Sequence, residues 1–227
     1  MSGPIYLYLD MLTLAGPLLL SFDKKVAFYK SWKYLFPAIF VMGLFFIAKD
    51  VIFASMNIWG FNDRYLIGNR MLGLPVEEWL FFLVVPYAIV FIYACLVAYL
   101  PFDPLVRIHR PFLYLLSVIL LLVAILFYER LYTSVIFALT AMLLLYNLWK
   151  QQAWLSMFLL AYFVSLLPFL LVNGVLTGSF LDEPIVWYDN TQNLGIRLLT
   201  IPIEDTIYNL MMFLMTIQLM EFFKKKY

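Results

Sequence analysis

One cysteine, Cys95, and one histidine, His109, are the only residues of their kinds among 227. A lone cysteine closes no internal disulfide, and in an apolar run it reads as a small core residue. The two together are too few for a His/Cys metal cluster, so no metal site is expected. A single histidine in a basic stretch beside Arg107 and Arg110 also argues against a Ser-His-Asp arrangement. No glycine-rich phosphate fingerprint occurs, so a dinucleotide cofactor in a Rossmann unit is not supported, and no other cofactor is evident. No aspartate-rich cluster of the kind that holds Mg²⁺ and pyrophosphate is present, which disfavours prenyl transfer. Charge is scarce as well. Only 13% of residues are charged and the formal net charge is +1, so nothing points to a nucleic-acid partner.

What the chain has instead is oil. It is 65% hydrophobic and 19% aromatic, with a mean hydropathy of +0.93. A soluble domain of this size would carry an exterior as apolar as its core, so the sequence describes an all-α integral membrane protein bathed in lipid. Windows of roughly 20 residues, enough to cross about 30 Å of hydrocarbon, fall at Ile5–Phe22, Tyr34–Phe53, Trp79–Leu100, Pro111–Tyr128, Tyr132–Trp149, Trp154–Thr177 and Ile203–Phe223. The fourth and fifth are separated only by Glu129-Arg130-Leu131, yet one helix across both would be far too long for a bilayer. No basic residue precedes the first apolar run and no small-residue cleavage pattern follows it, so that run is read as a permanent span.

Seven spans give two sets of loops. One holds Lys24, Lys25, Lys30, Lys33, Arg107, Arg110, Lys150 and Lys224 to Lys226; the other holds Lys49, Arg64, Arg70, Arg130 and Arg197. The positive-inside rule then puts the N-terminus outside and the C-terminus in the cytoplasm.

Leu74-Pro75-Val76-Glu77-Glu78 and Ile201-Pro202-Ile203-Glu204-Asp205 say nearly the same thing 127 positions apart, each at the start of an apolar helix. Proline followed by acids in a first helical turn is an ordinary helix start. A duplicated carboxylate pair at the mouth of a membrane helix is not. Trp59-Gly60-Phe61-Asn62 aligns in the same way with Trp187-Tyr188-Asp189-Asn190. The expected architecture is therefore a parallel tandem repeat: 1–105 and 131–227, joined by a connecting helix in 106–130. Three spans and one connector per period leave both acid pairs at the same membrane face.

Ionisable groups in or beside a span are functional candidates by default. They comprise Glu77, Glu78, Glu204 and Asp205, together with Asp10 and the pair Lys49-Asp50. Adjacent helical residues point about 100° apart, so one acid of each pair faces the bundle; Glu77 and Glu204 are the expected inward ones, with Glu78 and Asp205 next. The bland reading of Lys49-Asp50 is a structural ion pair. Trp59, Phe81, Phe82, Trp187 and Tyr208 are candidates for stabilising a cation through their ring faces, against the commoner role of aromatics as an interfacial belt.

These residues together resemble the membrane-embedded lycopene cyclases, whose two small subunits occur as separate or fused chains. The likeness runs through Tyr6-Leu7-Tyr8-Leu9-Asp10, Phe28-Tyr29-Lys30-Ser31-Trp32-Lys33 and Trp59-Gly60-Phe61-Asn62. It continues in Leu74-Pro75-Val76-Glu77-Glu78-Trp79-Leu80-Phe81-Phe82, Pro184-Ile185-Val186-Trp187-Tyr188, Asn193-Leu194-Gly195-Ile196-Arg197 and Ile201-Pro202-Ile203-Glu204-Asp205. Two departures are Tyr208-Asn209 where the first motif has Phe81-Phe82, and Lys49 before Asp50 where an aromatic or apolar residue is expected.

The resemblance implies carotenoid biosynthesis in a bacterial inner membrane: an isomerase that closes the ψ-ends of lycopene, or another acyclic carotenoid, to β-ionone rings. An acid protonates the terminal double bond, the neighbouring alkene attacks the carbocation, and a base removes a ring proton, giving γ-carotene and then β-carotene. It also implies other carotenoid-pathway enzymes as candidate neighbours. With both acid pairs at one face, the two ends of a spanning polyene cannot be served at once, so a monocyclic intermediate is expected. Three alternatives remain open on the residues: an ε- or γ-ring or C50 cyclase of the same fold, a proton-coupled transporter, and a pigment-binding protein. Few small or polar helix-interface residues speak for the transporter, and binding a hydrocarbon requires no carboxylates.

Overall fold

The computed structural model describes residues 3–226, so the outermost residues of the expected units 1–105 and 131–227 lie outside the described residues. Each apolar window holds one helix: α1 Ile5–Leu20, α2 Trp32–Ser55, α3 Val76–Tyr99, α4 His109–Leu126, α5 Leu131–Trp149, α6 Leu155–Leu176 and α7 Ile203–Lys226. Six of them, all but α1, are long and apolar enough to cross a membrane, and the chain is an integral membrane protein. At 16 residues α1 rises about 24 Å, short of a full hydrocarbon core. The break at residues 127–130 does separate α4 from α5. His109 is the first residue of α4 rather than part of a loop, and it is buried against the Leu105 carbonyl at 3.2 Å.

At the centre α3 packs against α7. α2 and α6 each lie against both of them, α1 rests on α3 and α6, α5 on α7, and α4 on α5 and α6. The helices carry apolar residues on nearly every side, as expected where the outer face meets lipid and the inner face meets other helices. Most buried side chains form one core along α2 to α7, and Tyr6, Tyr65, Leu66, Leu176 and Ile185 form a smaller second cluster.

The long connections before α3 and α7 build the same device twice. Arg70–Met71 (β2) and Leu74–Pro75 (β3) form a hairpin ahead of α3, and Arg197–Leu198 (β5) and Ile201–Pro202 (β6) form one ahead of α7. Leu72 and Gly73, at φ 53° and 84°, supply the two left-handed residues that a tight hairpin turn requires. Arg70 clips the first hairpin by donating to the Gly73 carbonyl (3.0 Å) and Asp63 (2.6 Å). Arg197 does the same to the Thr200 carbonyl (2.6 Å) and Asn190 (2.8 Å). Each hairpin then delivers a proline to the start of a central helix.

Trp59–Phe61 (β1) and Val186–Tyr188 (β4) pair antiparallel across the middle of this cap, with Gly60 opposite Trp187. The flanking bonds are reciprocal: Asn62 N donates to the Ile185 carbonyl and Asp189 N to the Ile58 carbonyl, both at 2.9 Å. This pairing corrects the expected alignment by one residue, because at the 127-residue offset Trp59 matches Val186 and Gly60 matches Trp187. Alternate strand residues face opposite sides, so the slip separates the two tryptophans. Trp59 turns inward at 5% exposed, whereas Trp187 faces outward at 39% and covers Gly60, whose missing Cβ would stand 2.3 Å from the indole.

Candidate active site

The first turns of α3 and α7 bury four carboxylates, and the hairpins decide where each one points. Glu77 accepts a bond from the backbone N of Ile67 at 2.6 Å, while Glu204 accepts from the backbone N of Leu194 at 2.7 Å and from the Thr133 hydroxyl at 2.6 Å. Both side chains are 0% exposed, each keeping one oxygen, Oε2, without a protein partner. Each ties the preceding loop to its own helix, and Glu204 also ties α7 to α5. The expectation that Glu77 and Glu204 are the inward acids is therefore corrected. The next residue, a helical step of about 100° away, is the one that looks into the bundle.

Glu78 and Asp205 line a single cavity of about 50 Å³ where the two halves meet. Tyr6, at the start of α1, donates to Glu78 Oε2 at 2.6 Å. Tyr132, at the start of α5, donates to Asp205 Oδ1, while Asn173 of α6 (2.8 Å) and Tyr188 of β4 (2.9 Å) donate to its Oδ2. Asp50 of α2 lines the same cavity. It accepts from Tyr208 at 3.0 Å, pairs with Lys49 at 2.5 Å, and shares the cavity lining with Glu78. Burial first, then the Asp205 charge, push the Tyr188 phenol well above its ordinary pKa, so it is a donor across the physiological range.

The aromatic walls are continuous with these carboxylates. Trp59 meets Tyr132, Tyr188 and Tyr208 edge to face, with ring centroids 5.1, 6.2 and 6.4 Å apart. The buried Lys49 ammonium sits 4.3 Å from the Tyr208 ring centroid, 4.7 Å from Trp59 and 5.0 Å from Phe53. The rings that border the cavity thus already surround one cation.

Of the residues singled out in the sequence, Glu78, Asp205, Asp50, Trp59, Phe81 and Tyr208 converge on the cavity. Trp59 is correspondingly no belt anchor. Asp10, Phe82 and Trp187 do not line it. Asp10 is buried on α1 near Glu77 with Oδ2 unpartnered, Phe82 packs against Phe46, and Trp187 lies outside. Tyr6, Tyr132, Asn173 and Asn209 also line the cavity and were not among the candidate site residues. A tyrosine near the start of the first helix of each half, and an asparagine inside an otherwise apolar span, were the available signals.

A family model described as lycopene cyclase matches the chain twice, at residues 3–96 and 129–223. No curated protein and no solved structure matches it. The two matched segments place Glu78 in one and Asp205 in the other, together with their tyrosine partners.

Proposed function

The chain belongs to the lycopene cyclase family, a family of carotenoid-cyclising enzymes, and we propose that it closes the ψ-ends of lycopene to β-rings by proton transfer between the two halves. The observation that carries this reading is the meeting of Glu78 and Asp205 in one aromatic-walled cavity. Seven membrane crossings, α1 included, with the N-terminus outside, then form two parallel units, 1–105 and 131–227, joined by the helix in 106–130.

Glu78 is the acid in this scheme. It shares the cavity with the Asp50 carboxyl, and one proton held between two such groups relieves their mutual repulsion. That proton passes to the terminal double bond of the polyene end. The adjacent alkene carries its electron pair to the resulting tertiary cation and closes the six-membered ring, which moves the positive charge onto a ring carbon. Trp59 and Tyr208, which line the cavity, are the rings nearest that charge in this scheme. Asp205 takes the ring proton. Three donors, Tyr132, Tyr188 and Asn173, solvate its carboxylate in place of water, and the packed walls keep water from trapping the cation. A proton returned from Asp205 to Glu78 resets the site. The product is an isomer of the substrate, so no electrons are exchanged and no cofactor is required by the stoichiometry.

The test is expression in cells that accumulate lycopene, followed by chromatography of the extracted pigments. A monocyclic product that appears first and a β,β-bicyclic one that follows are expected. A different ring type would keep the acid and move the base. Lycopene left untouched by well-inserted protein would overturn the reading.

A further inference from the structure

The acid cavity adjoins a second space. Phe81, Phe169, Asn173 and Asn209 line both the carboxylate cavity and an apolar groove of about 330 Å³ between α1, α3 and α6. The groove runs along the helices away from the acids, from Phe81 past Ala88 to Ile92 on α3. Its rim is formed by Leu12 and Leu171, 74% and 67% exposed, on the side of the bundle that faces lipid. Asn209 lines both spaces, is 1% exposed, and neither of its amide atoms has a protein partner. A buried amide of that kind is destabilising where nothing passes it.

The matching space in the other half is filled. At the 127-residue offset, Pro17, Val85 and Ala88 correspond to Leu144, Met212 and Met215, and Asn173 corresponds to Phe46. Leu144 and Phe46 are 0% exposed and Met212 is 1% exposed. Larger side chains therefore occupy in α2, α5 and α7 what is open between α1, α3 and α6.

We propose that this groove, which shares its lining with the acid cavity, seats the conjugated chain of an acyclic carotenoid, which enters sideways from the bilayer with one end in the acid cavity. The proposal rests on the cyclase reading and deepens it: one groove and one cavity accept one end per visit. Lipid tails are as apolar as the groove, so leaving the bilayer brings no hydrophobic gain. What selects the occupant is rigidity. A flexible acyl chain loses torsional freedom on lying along the groove, whereas a conjugated polyene is already extended.

The experiment uses the full chain reconstituted in lipid with lycopene as probe. It measures the lycopene retained by the purified protein, from its absorption, and the ring-closed product. Ala88→Trp, which fills the groove, should lower both retention and conversion about tenfold or more. Leu12→Trp, at the rim where it cannot disturb the core, should lower both by a smaller factor. Leu122→Trp, on the lipid face of α4 and 54% exposed, should match wild type. If wild type converts lycopene and neither groove variant differs from it, the groove is overturned and the cyclase stands. If wild type retains lycopene without converting it, the cyclase reading falls and retention by the two groove variants decides the groove alone. Neither retention nor conversion by wild type overturns both. Should Ala88→Trp fail to insert, retention and conversion by Leu12→Trp decide for or against the groove.

Discussion

Glu78 and Asp205 occupy the same step of the same helical turn in the two halves, yet their surroundings differ. Asp205 meets only neutral donors, two phenols and an amide. Glu78 meets one phenol, Tyr6, and shares the cavity with a second carboxyl, Asp50, which is itself paired with Lys49. The backbone device that presents them is duplicated down to the hairpin arginines, so the difference lies in a few side chains. Phe61 in the first half matches Tyr188 in the second, and Phe81 matches Tyr208. A scaffold that repeats and a lining that does not is how two equivalent acids come to be suited to opposite proton transfers.

The sharpest break of this comparison separates the acids that look into the cavity from those that hold the loops. Glu78→Gln and Asp205→Asn keep the shape and remove the transferable proton or its acceptor. Each should lower cyclisation by about 10²- to 10⁴-fold, the usual worth of a positioned acid or base, with the protein still present in the membrane. Pigment ratios at matched protein levels measure it. Near-normal conversion by either variant would remove that residue from the proton path.

The two acids of each pair differ in a way that no sequence pattern carries. Helix ends, the break at Glu129 and Arg130, and the duplicated acid motif are legible because they follow from hydropathy, length and local turn chemistry. The rotation of the first turn is not, since it depends on which acid the preceding loop claims. The Ile67 and Leu194 amides claim Glu77 and Glu204, and those amides arrive through a tertiary fold of ten residues of loop. The tryptophans mislead for a related reason. Matching Trp59 to Trp187 is natural by identity, but strand pairing sets the register, and a one-residue slip turns a side chain from the site to the surface. Asn173 and Asn209 become meaningful only when α6 and α7 are seen to close on the same cavity.

A second break tests whether the loop-holding acids are structural. Glu77→Ala leaves the Ile67 amide without its acceptor and should cost about 1–3 kcal/mol of stability, the range for a donor left without its partner. Glu204→Ala should cost more, because Thr133 loses its acceptor along with Leu194. Unfolding midpoints in detergent read the order of the two. Activity per folded molecule should fall far less than in Glu78→Gln. If Glu77→Ala instead unfolds normally and loses cyclisation outright, the division of labour within the pairs is reversed.

The smallest effect probes the asymmetry itself. Tyr188→Phe removes one of three donors from Asp205 and makes that position resemble Phe61 of the other half. One neutral hydrogen bond is worth about 1 kcal/mol net, so a rate loss of about fivefold is expected, with binding of lycopene unchanged. The Tyr188 phenol lies well above its ordinary pKa. Its deprotonation would abolish the donor, and the upward shift moves that loss to still higher pH. Wild type should therefore show no alkaline decline near pH 10 that Tyr188→Phe abolishes. The reciprocal change, Phe61→Tyr, adds a hydroxyl to a residue that already lines the cavity. If the asymmetry serves only packing, the double variant Tyr188→Phe with Phe61→Tyr restores the rate, since the same groups are then present in mirrored places. If Asp205 is the base, the double variant stays as slow as Tyr188→Phe, because the missing donor is needed at Asp205 and not across the cavity from it.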